Sequence, residues 1–315
     1  MPRNRFLVTG CAGFIGGHMV ERLLRDGFDV VGVDDFSTGR RGNIDRFADG
    51  IRFMEGNLCD PEVAERAVEG VDRIIHLAAI PSVPRSLENP GESARASVMA
   101  TVTLLDAARK AGVARVVQAS SSSVYGDGEA LPKVESTPPD PLSPYAASKV
   151  GQEYFGKAFS SAYGLDTVAL RYFNVFGPRQ DPDSRYAAVI PKFIMLMLEG
   201  SRPTIFGDGR ATRDFTYIDN VVEGNLLAAL HPGPLRGEVM NCACGNRVSL
   251  NSLVEKLNVL LGTDLPPVYA PARTGEVRHS QACIDRISAI LGFVPGVGFD
   301  DGLAKTVRHF VTGPA

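Results

Sequence analysis

Cysteine is scarce in this chain: Cys11, Cys59, Cys242, Cys244 and Cys283 are the five in 315 residues. An odd number without a secreted-domain rhythm excludes a disulfide framework and points to a reducing, cytoplasmic setting. Cys242 and Cys244 form C-x-C with no second ligand pair nearby, so no metal is expected. Positive charge is not in excess either. The formal net charge is -3 and the pI about 6.0, which leaves no surplus of Lys and Arg for the counterion release that drives nucleic-acid binding. No apolar run approaches the ~18 residues of a membrane helix. The opening MPRNRFLVTG enters a strand without an apolar leader, so neither signal peptide nor anchor is expected. Repeats and low-complexity tracts are absent. What remains is a chain long enough for two domains, each with its own core, acting on small molecules.

The first half alternates short β-branched runs with helical patterns. Arg5 to Thr9, Asp29 to Asp34, Ile51 to Glu55, Arg73 to Leu77, Arg115 to Ala119 and Asp166 to Tyr172 read as strands, and Phe14 to Asp26 as a helix. Strands alternating with helices predict an α/β fold with a doubly wound parallel (Rossmann) sheet covered on both faces. After about residue 176, loops rich in Pro, Gly and Arg separate shorter elements such as Ile190 to Glu199, which suits a smaller α/β substrate domain. The run DFTYIDNVVEGNLLAAL reads as a short strand and a helix capped near Asp219. The expected division is therefore 1–175 for the first domain, with a return over about 214–231, and 176–315 for the second.

Gly10, Gly13 and Gly16 form a G-x-x-G-x-x-G turn between a strand and a helix. Glycine allows a tight turn and close approach to a pyrophosphate, whose charge meets the amides of Phe14, Ile15 and Gly16 at the helix start. Asp34 and Asp35 close the second strand, where a carboxylate accepts hydrogen bonds from ribose hydroxyls and repels a 2′-phosphate. This favours NAD over NADP, with Arg40 and Arg41 in the next loop read as a solvated surface pair. Asn57 and Leu58 after the third strand are placed for the adenine, and Leu77, Ala78 and Ala79 bring small residues to the cofactor at the end of the fourth.

Ser121, Ser122 and Ser123 follow the fifth strand, and Tyr145 and Lys149 stand at i and i+4 on one face of a helix after Pro141-Leu142-Ser143-Pro144. A lysine ammonium and an oxidised nicotinamide beside a phenol both favour the phenolate, lowering its pKa so that it can take a proton from a sugar hydroxyl. The motifs VTGCAGFIGGH, VDDFSTG, HLAA, SSSSVYGD, SPYAASK, RYFNVFGPRQDP, AAVIPKF, TRDFTYIDN and GEVRHSQA together resemble the extended short-chain dehydrogenases, specifically the nucleotide-sugar 4-epimerases, over nearly the whole chain.

That resemblance implies Tyr145 as acid/base, Lys149 on the nicotinamide ribose and Ser121 on the reacting oxygen. It implies a UDP-sugar bound by Ser122, Asn174, Ala188, Val189 and Phe206, with Arg213 and Arg273 on the phosphates and Ser280 as gatekeeper beside the sugar. A small residue there leaves room for an N-acetyl group, so UDP-GlcNAc and UDP-GalNAc are expected substrates alongside UDP-glucose and UDP-galactose. Ser122 and Ser123 stand where family dehydratases carry Asp-Glu, and neither can supply a carboxyl group for eliminating water. Ser97 replaces an Asn that commonly holds the nicotinamide ribose, and Asn57 replaces an adenine-binding Asp; both changes are expected to loosen NAD. A UDP-glucuronate 4-epimerase is the alternative, followed by a non-catalytic NAD sensor. His279 is the one histidine expected near the sugar. The helices from about Ser93 to Ala111 and Tyr145 to Tyr163 form a four-helix dimer interface in relatives, so a homodimer is expected.

Overall fold

The computed structural model describes residues 5–182, 187–272 and 278–313. Six strands lie where the β-branched runs predict them: β1 (Arg5–Thr9), β2 (Asp29–Asp34), β3 (Ile51–Glu55), β4 (Arg73–His76), β5 (Arg115–Ser121) and β6 (Thr167–Tyr172). All pair in parallel in the order β3-β2-β1-β4-β5-β6. Strand order reverses between β1 and β4, and that switch point opens a crevice at the carboxyl ends of the strands.

Residues 238–242, which the sequence reading left in the second domain, add a seventh strand, β7 (Glu238–Cys242), parallel to β6. Strand β5 also runs further than expected. It carries Ser120 and Ser121 into the ladder opposite Arg171 and Tyr172, which fixes the strand end where the candidate chemistry sits.

Side-chain alternation divides the core between the two faces of the sheet. Along β1, Leu7 joins Val31, Ile74, Val116 and the helix residues Leu104 and Leu105 on one face. Phe6 and Val8 join Met19, Leu23, Ile75, Val117 and Val221 on the other. Each fully buried aliphatic side chain contributes roughly 1.5–3 kcal/mol, so both faces must be covered for the sheet to persist. The first face is covered by α2 (Pro61–Ala67), α3 (Ala100–Ala111) and α4 (Pro144–Tyr163), the second by α1 (Phe14–Arg25) and, from later in the chain, α6 (Ile218–Leu230). A π turn at Arg95–Met99 leads directly into α3.

The helix expected to be capped near Asp219 begins at Ile218 without a side-chain cap. Asp219 lies instead in its first turn, where a carboxylate offsets the positive end of the helix dipole. At its other end, Arg115 binds Asp166 at 2.7 Å and donates from its terminal nitrogens to the carbonyls of Ala228, His231 and Gly233. Carbonyls left open by the helix end thereby gain a cationic partner, which anchors the later part of the chain to the sheet. Beyond the sheet, α5 (Val189–Leu198) and three short strand pairs build a smaller layer. Among the described residues no helix is long and apolar enough to cross a membrane.

Candidate active site

The crevice at the switch point holds a cavity of about 420 Å³. Its floor is the glycine turn. Gly10 has φ +68°, and a Cβ there would lie 2.9 Å from the Ala78 backbone nitrogen, while one on Gly16 would lie 2.0 Å from the Gly10 carbonyl oxygen. A side chain at Gly10 would push the turn off the end of β4, and one at Gly16 would push α1 off the turn. Thr9 Oγ1 ties the two together by accepting the Leu77 and Ala78 N–H groups, each at 3.1 Å. Helix α1 opens at Gly13 with no side-chain cap, so its first amides remain available to an anion in the cavity.

Asp34 is buried and accepts the Ala12 N–H at 2.9 Å and the Phe36 N–H at 2.8 Å. Each carboxylate oxygen keeps a second lone pair for a ribose hydroxyl. Asp35 accepts from Ser37 N–H and from Asn57 Nδ2. Glycines that admit a close backbone approach, free helix amides and a carboxylate at the end of β2 together fit an adenine dinucleotide.

Of the expected cofactor residues, Gly10, Gly13, Phe14, Ile15, Gly16, Asp34, Asp35, Asn57, Leu58, Leu77, Ala78, Ala79, Tyr145 and Lys149 all line this cavity. Ser97 does not. It is buried behind a wall made by Ala96 and Ala100, and its hydroxyl has no hydrogen-bond partner. Arg40, read from sequence as a surface charge, lines the cavity and pairs with Asp181 at 2.6 Å. Arg41 pairs with Glu55 at 2.6 Å and stacks on Phe36 with its guanidinium 4.3 Å from the ring centroid. Arg179, in a left-handed conformation with φ 67°, joins the cavity wall and grips Glu21 of α1 through both terminal nitrogens. Arg179 and Asp181 belong to the GPRQDP stretch, whose local pattern does not show this placement. The partners of Arg179 and Asp181 are far away along the chain, and only the fold brings them together.

Ser143 caps α4 by accepting the Ala146 N–H at 3.1 Å, with Pro144 as first helical residue. This starts the helix one residue before Tyr145 and turns Tyr145 and Lys149 toward the cavity. Lys149 is buried, donates to the Ala119 carbonyl at 2.8 Å, and has its Nζ 5.9 Å from the Tyr145 ring centroid. Burial draws its pKa down to about 7, against the nearby carboxylate of Glu153. Burial raises the Tyr145 pKa above its ordinary value, opposed by a hydrogen bond with Ser121. The protein alone thus keeps Tyr145 neutral, because desolvation outweighs the hydrogen bond. Ser121 Oγ also accepts from the Ser123 N–H and hydroxyl, and Ser122 opens the short turn Ser122–Tyr125.

A second cluster lies in the later part of the chain. Asn174, with φ 34°, donates from Nδ2 to the Asp214 carbonyl at 3.2 Å and to Ser280 Oγ at 3.1 Å. A non-glycine residue held in that region of backbone space is a mark of functional loops. Arg213 donates to the carbonyls of Thr212 and Arg278, and His279 Nδ1 bonds Thr212 Oγ1 at 2.9 Å. The structure therefore brings Asn174, Arg213 and Ser280 together. Ala188 and Val189 stand at the start of α5, where Ala188 reaches the cofactor cavity. Phe206 ends a short strand, Thr204–Phe206, paired with Val268–Ala270. Arg273 lies outside the described residues.

A doubly wound sheet with a glycine turn, a carboxylate closing β2 and a tyrosine-lysine pair on α4 defines a nicotinamide-dinucleotide enzyme of the short-chain dehydrogenase class. Residues 6–243 match the model of the NAD dependent epimerase/dehydratase family. The chain is 40% identical to the UDP-glucose 4-epimerase of Mycolicibacterium smegmatis over 311 residues, 97% of this chain and 98% of that protein. It superposes with TM-score 0.94 and 38% identity on a UDP-N-acetylglucosamine 4-epimerase from Methanobrevibacter ruminantium in complex with UDP-N-acetylmuramic acid, covering 99% of each. A UDP-glucuronic acid 4-epimerase mutant from Bacillus cereus, solved with a fluorinated UDP-glucuronic acid and NAD, matches at TM-score 0.91 and 32% identity, over 98% of this chain and 99% of that one. The chain belongs to this NAD-dependent family, as an epimerase of the nucleotide-sugar 4-epimerase type within the extended short-chain dehydrogenases.

The loop that carries Ser280 is anchored by Asp214. This buried carboxylate accepts the N–H groups of Ala282 and Gly245 at 3.0 Å and of Cys244 at 3.3 Å, yet burial still raises its pKa to about 6. A folded pKa above the unfolded one gives a contribution fully present below pH ~4 and lost as pH rises through about 6. At ~1.4 kcal/mol per pH unit this is roughly 3 kcal/mol. Urea unfolding between pH 4 and 7 should show that loss in the native chain and a flatter profile in Asp214→Asn; identical slopes would show that Asp214 does not carry the effect.

Proposed function

We propose that the chain is a UDP-hexose 4-epimerase that interconverts UDP-GlcNAc and UDP-GalNAc and accepts UDP-glucose and UDP-galactose. The observation that carries this reading is Tyr145 and Lys149 lining the dinucleotide cavity, with Ser121 bonded to the phenol and the small Ser280 at the neighbouring loop. The division of labour expected from sequence goes with it: residues 1–175 and the return over 214–231 hold the cofactor, and most of 176–315 holds the nucleotide.

When bound, NAD would supply a reversible hydride acceptor for sugar C4. Tyr145 takes the C4 hydroxyl proton and later returns it to the oxygen of the 4-keto sugar, whose C4 would regain hydride on its opposite face. Ser121, bonded to the phenol, orients the reacting oxygen. A charged Lys149 holds the phenolate and the nicotinamide ribose. Because Tyr145 is kept neutral by burial, its ionisation depends on cationic charge being present when the substrate is bound. Inversion also requires the keto sugar to turn over while its handle stays fixed. Asn174, Ala188, Val189 and Phe206 form the uridine and diphosphate grip, with Arg213 and Arg273 on the phosphates, because a guanidinium fork donates to phosphate in pairs. Ser122 contributes to binding the UDP-sugar.

Ser122 and Ser123 place hydroxyls, not carboxyls, where elimination of water would need an acid and a base, which favours epimerisation over dehydration. A UDP-glucuronate 4-epimerase is the second reading, favoured by the serine-rich turn at Ser121–Ser123. A cytoplasmic location accords with thiols that are all unpaired.

The helical run 90–111 and α4 lie side by side and expose Met99, Tyr154, Phe155 and Tyr163, an apolar face of the kind that marks an interface. We propose a homodimer built on it.

Three measurements test these statements. Tyr145→Phe should keep NAD bound and lose turnover by about a hundredfold or more; full activity would remove Tyr145 from the mechanism. Side-by-side assays on UDP-glucose, UDP-GlcNAc and UDP-glucuronate should favour the first two, and Ser280→Tyr should abolish turnover of UDP-GlcNAc while sparing UDP-glucose. Equal loss on both sugars would refute the gatekeeper role. Light scattering at micromolar concentration should give twice the 33.7 kDa chain mass; a single monomeric species would refute the dimer.

A further inference from the structure

Glu153 follows Lys149 by one helical turn on α4, and its side chain is 6% exposed. Three hydrogen bonds hold its carboxylate. Ser120 Oγ donates to Oε1 at 2.5 Å, and Arg171 donates from Nε to Oε1 at 2.8 Å and from Nη2 to Oε2 at 2.7 Å. Ser120 and Arg171 are each 3% exposed, and the Arg171 guanidinium is stacked 4.6 Å over the Tyr125 ring. A buried ion pair seldom stabilises a fold more than apolar side chains of the same size, so stability alone does not account for this one.

Its connections suggest another account. Ser120 lines the cofactor cavity and lies between Ala119, whose carbonyl receives the Lys149 ammonium, and Ser121. The carboxylate is thus joined to the lysine by one turn of helix and to the strand end bearing the candidate catalytic serine by a hydrogen bond. We infer that Glu153 is a positioning residue whose carboxylate, fixed by Ser120 and Arg171, keeps the buried Lys149 amine charged while Tyr145 exchanges its proton. The inference rests on the role proposed above for Lys149.

Among the described residues, Glu153 is the anion that bears on the charge of Lys149. On its own helix the ionisable neighbours are Tyr145 and Glu153. From β4, His76 bonds the hydroxyls of Thr9 and Thr101, and burial draws its pKa down to about 3, so it is neutral at working pH. Strand β5 presents the neutral Ser120 and Ser121. From β6, Arg171 is a permanent cation directed at Glu153, and Tyr172 is a phenol that burial keeps protonated. Burial pulls the Lys149 pKa down, and Glu153 is the group that opposes it.

Removing the carboxylate should therefore let Lys149 lose its proton at lower pH. The direct measurement is a titration followed by carbon-13 NMR of lysine Cε in the full protein, with Lys149 assigned as the resonance lost in Lys149→Arg. The midpoint should lie near 7 in the native chain, fall by about one pH unit in Glu153→Gln, and return in Glu153→Asp. The alkaline limb of the kcat profile should move down with it, at unchanged KM. Should Glu153→Gln fail to fold because Arg171 is left unpaired, Glu153→Gln/Arg171→Gln removes both charges and should still lower the midpoint. A midpoint that stays put in either folded variant overturns the inference. Lys149→Met separates this from the underlying reading: full turnover in that variant would defeat the proposed use of Lys149, whereas the titration would still say whether Glu153 sets its charge.

Discussion

An ammonium group taken out of water loses several kcal/mol of hydration unless the protein supplies substitutes. At Lys149 the substitutes are the Ala119 carbonyl at 2.8 Å and the carboxylate of Glu153 one turn away. Both need exact partners elsewhere. The carbonyl is in place because β5 keeps its pairing with β6 as far as Ser121, and the carboxylate is in place because Arg171 of β6 grips it from the sheet. A single buried charge thus requires the strand end, the helix and the neighbouring strand to be in register together. The same register carries Ser121 to Tyr145.

A second buried chain of hydrogen bonds does for the cofactor turn what the ion pair does for the lysine. Thr101 Oγ1 donates to the Ser97 carbonyl and so can only accept from His76 Nε2 and Gln152 Nε2. His76 is then the Nε2–H tautomer, and its Nδ1 accepts from the Thr9 hydroxyl, whose oxygen accepts the Leu77 and Ala78 amides. The polarity of every member is set by the next. The chain runs from α4 through β4 to the glycine turn, linking the helix that bears Tyr145 to the loop that approaches the dinucleotide, and it works only with a neutral imidazole.

Much of this was legible in the sequence because it depends on local chemistry. Glycine at positions 10 and 16, a carboxylate closing β2 and the Tyr145–Lys149 spacing each express a constraint contained within a few residues. Short β-branched runs alternating with helical patterns made the sheet readable for the same reason. What escaped depends on partners distant in the chain. Arg40 is an exposed charge, as read, but its pairing with Asp181 is not visible in the sequence. Strand β7 carries no stronger pattern than the loops around it and becomes a strand because β6 offers it an edge. Ser97 occupies the expected stretch of helix, but the π turn at Arg95–Met99 and the wall formed by Ala96 and Ala100 leave its hydroxyl behind the cavity. The acidified Tyr145 phenol was expected of a site holding both lysine and oxidised nicotinamide; in the protein alone, burial raises its pKa.

The two halves of the site are built on opposite electrostatic principles. Around the cofactor, the groups are fixed by the sheet: backbone amides, strand-end carbonyls and buried side chains held by hydrogen bonds. Such a surface holds charge in one orientation and reorganises little during reaction, which is what hydride and proton transfer at a fixed distance require. Around Asn174 and Ser280, the groups sit on loops tied to each other through the backbone of Asp214 and through its carboxylate. Removing one member there moves a loop rather than a strand. A reaction that must keep a nucleotide handle still while the sugar turns over benefits from this separation, since the loops can vary for the substrate without disturbing the register that keeps Lys149 charged.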